Sequence, residues 1–165
     1  MNCTWIKRTA LLALALQGFW IMPAQAQTTA QNSPSETSLI YARLIANSCP
    51  GQWETPACLS AVSKSNLALA ANYGGALQEK NLNDAAEKIK QHCAASTAAS
   101  DQEFPAYAMK SAFIECANAM SDVSDETKIT PDLSHYQLLI GATMCLNKDP
   151  GCTEITKTLR QYTTP

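Results

Sequence analysis

The chain has 165 residues, 12 basic and 14 acidic side chains for a formal net charge of −2, and seven cysteines. That length suffices for one domain with a core of its own. The lack of a basic excess argues against nucleic acid and anionic membranes as partners.

Met1 to Ala26 reads as a secretory signal. Lys7 and Arg8 form the positive start, Thr9 to Met22 is apolar, and Ala24-Gln-Ala26 supplies small residues for cleavage. The apolar run is too short to span a bilayer comfortably. Cys3 precedes it and leaves with the signal. Loss of Lys7 and Arg8 takes the basic count from 12 to 10 against 14 acids, a net charge of about −4. Six cysteines in an exported chain read as three disulfides, which places the protein in an oxidising compartment, periplasmic or secreted.

Residues 27–32 are polar and short of apolar anchors, a mobile leader to a single domain over 33–165. From there one signal recurs, a capping residue followed by proline: Ser33-Pro34, Thr55-Pro56, Thr130-Pro131 and Asp149-Pro150. The first side chain can accept from free amides of an opening helical turn, and proline suits the first helical position. Ser33 with Glu36 completes a capping box. The run after Pro34 carries Leu39, Ala42, Ile45 and Cys49. The next carries Leu59, Val62, Leu69, Tyr73 and Leu77, stopping near Gly74-Gly75 or just beyond. A third starts at about Asn83 with Ala86, Ile89 and Cys93, and a fourth near Phe104-Pro105 with Met109, Phe113, Cys116 and Met120. Leu133, Tyr136, Leu139 and Ile140 mark a fifth, and Ile155, Leu159 and Tyr162 a sixth. The spacing is helical throughout and no alternating run competes. The expected fold is an all-α bundle of about six short helices stapled by three disulfides.

Two cysteine pairs bracket short turns containing proline and glycine, Cys49 to Cys58 and Cys145 to Cys152, and their flanks echo each other. Local pairing within each clip leaves Cys93 with Cys116, joining the third helix to the fourth. The rival set pairs Cys58 with Cys93, Cys116 with Cys145 and Cys49 with Cys152. The local set is favoured, because tight turns bring the α-carbons within bonding range. Many helix positions are alanine, which forms helix well but buries little area and leaves small room for a large cavity.

Chemistry-bearing residues are few. His92 adjoins Cys93, which suggests a nucleophile pair or a zinc site, but a disulfide-bonded cysteine serves neither. His135, the other histidine, lies far from it in sequence. Met109, Met120 and Met144 suit a core better than a copper site. The acids Asp122, Asp125 and Glu126 lack the glycine and spacing of a calcium loop and read as a solvated interhelical loop. Glu103 and Glu115 stand about 18 Å apart along a helix, too far for a glycosidase pair. No cofactor and no catalytic set is expected.

Gln52, Trp53 and Glu54 sit inside the first clip, where a rigid loop could present the tryptophan to a protein partner. The alternative is a ring folded back onto the core. The expected function is a small, non-catalytic exported protein that binds another protein, as an inhibitor, immunity factor or secretion accessory. The alternative is a carrier of an apolar small molecule, with Phe104, Tyr107, Met109 and Phe113 lining a modest pocket. An enzyme with an unrecognised site comes third.

Overall fold

Apolar side chains recur every three to four residues along most of the chain, and each such run becomes a helix. The structure, a computed structural model, describes residues 34–49, 51–94 and 106–163. Over those residues the chain forms six α-helices and no strand. They are α1 (Glu36–Ser48), α2 (Pro56–Glu79), α3 (Asn83–Ala94), α4 (Ala106–Thr127), α5 (Leu133–Leu146) and α6 (Cys152–Leu159), which runs into a 3-10 turn over Arg160–Tyr162. The signal segment Met1–Ala26, the leader and the residues Glu103 and Phe104 lie outside the described residues. No helix among the described residues is long and apolar enough to cross a membrane.

Of the four cap–proline signals, Thr55-Pro56 opens a helix as expected, with the Thr55 hydroxyl accepting from the Cys58 amide at 3.3 Å. The others begin two residues later. Ser35, not Ser33, caps α1, accepting from the Ser38 amide at 3.0 Å. Asp132, not Thr130, caps α5, accepting from the His135 amide at 3.1 Å. The reason is a tertiary one: the Ser35 hydroxyl also donates to the other Asp132 carboxylate oxygen, so the two caps bind each other. Asp149 caps nothing. Its carboxylate accepts from the Gly151 amide at 2.8 Å in a turn before α6.

Of the helix ends, that of α2 falls just beyond Gly74-Gly75, within the expected range, whereas that of α4 runs later than expected. α2 passes through Gly74-Gly75 to Glu79, because Tyr73 and Leu77 on either side are both buried. It stops where Asn81 turns left-handed (φ 60°). There the Leu82 amide bonds back to the Leu77 carbonyl at 3.0 Å and the Asn81 amide to Gln78 at 2.8 Å. Asp122, Asp125 and Glu126 are not a loop. They lie on the last turns of α4, which Val123, fully buried one turn after Met120, holds in helical form. The acids face solvent, and Glu126 meets Lys88 of α3 at 3.2 Å.

The disulfides join Cys49 to Cys58, Cys93 to Cys116 and Cys145 to Cys152, with α-carbons 4.6–4.7 Å apart in each. Each clip turns the chain back on itself, so α2 runs against α1 and α6 against α5. The two clips are neighbours: Glu54 and Lys148 meet at 3.7 Å, and Gly51 to Thr55 share a surface hollow with Cys145 and Lys148. Since α1 and α5 also start side by side, at Ser35 and Asp132, they lie parallel. α3 and α4 are antiparallel, as the pairs Lys88–Glu126 and His92–Glu115 require. The core threads through every helix, with Ile45, Leu69, Ile89, Phe113 and Leu139 among its buried members.

Candidate functional site

Trp53 belongs to that core. Only 8% of it is exposed, and it is a member of the same buried apolar cluster as Cys49 and Cys58. The exposed aromatic platform is therefore not formed, because the loop closed by the disulfide turns the ring inward where its large apolar area is removed from water. Gln52 and Glu54 remain exposed, Glu54 facing Lys148. Among the described residues, Tyr107, Met109 and Phe113 do not face one common space, and Phe104 lies outside the described residues. Met109 and Phe113 are buried in the core, while Tyr107 is 75% exposed.

The sequence candidates for chemistry lie apart. His92 is half-exposed on the last turn of α3, its Nδ1 2.9 Å from a Glu115 carboxylate oxygen across α4. Cys93 beside it is bonded to Cys116. Met109 and Met120 are core residues, and Met144 lies on another helix.

His135 occupies a more unusual place. Its ring is completely buried between α1, α2 and α5, stacked on Tyr41 with centroids 5.1 Å apart, and Nε2 lies 2.9 Å from the Ser65 hydroxyl. Nδ1 has no hydrogen-bond partner among the described residues. An orphaned lone pair costs less than an orphaned N–H, so the proton belongs on Nε2, donated to Ser65. Burial pushes the imidazole below its ordinary pKa, against a weaker upward pull from Asp132. Serine, histidine and aspartate meet here, but not as a nucleophilic set. The Asp132 carboxylate takes the backbone amide of His135 and the Ser35 hydroxyl, and Ser65 is itself 2% exposed, out of reach of any substrate.

The feature that the residues do build lies on the other side of α5. A groove of about 620 Å³ runs between α1, α5 and α6. Leu39, Ala42 and Ile45 form its α1 wall, and Tyr136, Ile140 and Met144 supply α5. Ile155, Leu159 and Tyr162 close it from the α6 side. None of the side chains lining it carries a formal charge. Leu133 stands at its mouth, 48% exposed. Two glycines set its shape. A β-carbon on Gly141 would come within 2.9 Å of Ile155 Cγ2, so glycine lets α6 close on α5. A β-carbon on Gly151 would stand 2.5 Å from Met144 Cε, so glycine there lets the methionine lie under the second clip.

Sequence reasoning missed this groove, although one signal pointed to it. α5 carries more apolar residues than one buried face can use. Leu139, Ala142 and Leu146 pack into the core, while Leu133, Ile140 and Met144 look into the groove. The uncharged lining suits a neutral, apolar surface and offers nothing to orient a charged one. No protein-family model, curated protein or solved structure matches the chain.

Proposed function

We propose that this is an exported, periplasmic or secreted, non-catalytic protein that binds another protein through the groove between α1, α5 and α6, as an inhibitor, immunity factor or secretion accessory would. The observation that carries this reading is the uncharged groove, open on one side with Leu133 exposed at its mouth. α1 and α5 run parallel along it, and the stretch from Leu133 to Met144 gives it a length of about 17 Å, three helical turns. That length suits the apolar face of an amphipathic segment, anchored by side chains spaced one turn apart. Three disulfides fit the oxidising compartment that export would reach.

A second reading, a carrier of a neutral apolar small molecule, is favoured by the volume, which falls inside the range of about 300–1,000 Å³ typical of small-molecule pockets. Photo-crosslinking distinguishes the two. A crosslinking residue at Gln137, on the groove, should trap one protein in extracts of the producing cells, and Leu133→Asp should abolish the adduct without changing the circular dichroism. The same residue at Gln78, on α2 away from the groove, should trap nothing. A bound small mass in native mass spectrometry, lost in Leu133→Asp, would favour the carrier. The absence of both adduct and bound mass would remove the groove as a site.

A further inference from the structure

The three disulfides are not equally placed. Cys58 and Cys116 are fully buried, and Cys93, Cys49 and Cys145 are between 1% and 5% exposed. Cys152 alone is half-buried, at the first residue of α6. Thiol–disulfide exchange needs an attacking thiolate to reach one sulfur along the bond, so access selects the pair that opens. The helix behind Cys152 is weakly held. It has eight residues, its N-cap Gly151 makes no side-chain bond, and Leu159 is its one fully packed residue. Such a helix is far below the length of roughly 12–15 residues at which helices stand alone in water. Apart from Leu159 in the core and Ile155 and Tyr162 packed against it, α6 is held to α5 by the Cys145–Cys152 bond, the one covalent tie between them.

We infer that Cys145–Cys152 is a reducible latch, opened by a dithiol, that releases α6 and with it one wall of the groove. The chemistry balances in two exchanges. A thiolate of the dithiol attacks Cys152 Sγ, the Cys145–Cys152 bond breaks, and Cys145 leaves as a thiolate that takes a proton. The second thiol of the dithiol then attacks the mixed disulfide and expels Cys152 as a thiolate, which takes a proton. Two electrons pass from the dithiol, which ends as a disulfide, to the clip, which ends as two thiols. The first clip is less accessible, because Cys49 is 4% exposed and Cys58 fully buried. Only the effect on binding rests on the groove being a site.

Graded reduction of the intact protein with dithiothreitol, quenched with a maleimide and read by peptide mass spectrometry, tests the latch. Cys145 and Cys152 should be labelled at a dithiothreitol concentration at least tenfold lower than the four cysteines of the other two disulfides. Amide exchange over 152–162 should rise at that same concentration. The double variant Cys145→Ala with Cys152→Ala should show the fast exchange without reductant. Should that variant fail to fold, graded reduction of the parent still decides. Simultaneous opening of all three pairs, earlier opening of another pair, or labelled Cys145 and Cys152 with α6 exchange unchanged would each overturn the proposal. Nile red, a neutral apolar dye, reports separately on the groove. Dye release on opening supports both readings, whereas selective opening with unchanged dye binding keeps the latch and sinks the groove.

Discussion

Trp53 lies in a loop closed by Cys49 and Cys58, and its burial decides what its removal should do. Trp53→Ala takes a large apolar side chain from the core and should cost roughly 3–5 kcal/mol. Urea titration measures that loss, and a change below ~1 kcal/mol would mean the ring is not packed as the structure has it. His135 sets a second residue-scale expectation. Its pKa is lowered in the fold by burial, while the unfolded chain keeps an ordinary value near 6.5. A lowered pKa means the unfolded state takes up more protons below that value. Stability from the neutral ring is therefore complete above about pH 6.5 and declines as pH falls below it. The urea midpoint should drop between pH 7 and pH 5. His135→Gln keeps a donor near the Nε2 position for Ser65 but does not titrate, so it should flatten that slope. An equal slope in parent and variant would remove His135 as its source.

At the scale of the helix, ends proved harder to read than interiors. The helical runs were legible because a 3.6-residue period appears wherever one face is buried, as with Leu69, Tyr73 and Leu77 on α2. Starts were misplaced because two side chains serve partners 97 residues apart: Ser35 and Asp132 cap their own helices and bind each other. No local rule ranks them above Ser33 and Thr130. Helix ends carry a different mark, since Asn81, Lys128 and Lys148 all adopt positive φ without being glycine. Lys128 (φ 61°) ends α4, with its amide bonded to the Ser124 carbonyl at 2.9 Å. A lysine there bears a steric cost of roughly 1–2 kcal/mol that glycine avoids, partly offset by the greater freedom of glycine when unfolded. Lys128→Gly should thus stabilise the protein by about 0.5 kcal/mol or more, and Asn81→Gly by less, because asparagine tolerates this conformation. Thermal melts of the two variants check the order.

For the whole molecule, cysteine pairing was legible where turn chemistry is local. Pro/Gly turns bring Cys49 to Cys58 and Cys145 to Cys152, and elimination then leaves Cys93 with Cys116. The groove was not legible. Its walls come from both ends of the described chain, and one sequence holds no record of which distant helices meet. The small side chains of α2 did not exclude open space: one hollow lies along Ala70, Ala71, Gly74 and Gly75 against α3, and the groove lies where α6 leaves α1 and α5 uncovered.

The bond between Ser35 and Asp132 also bears on time. α2, α3 and α4 find their neighbours within a few tens of residues, whereas α1 cannot meet α5 until nearly a hundred residues have been brought into place. Contacts so distant in sequence are made late, because the entropy of closing the long loop is lost before anything compensates it. The hairpin of α2 with α3 should therefore acquire amide protection first during refolding with disulfides intact, and α1 with α5 together and last. Pulsed hydrogen exchange would resolve that order. Protection of α1 in step with α2 would show that the first clip alone recruits it, leaving the second half of the chain to assemble on a surface already built.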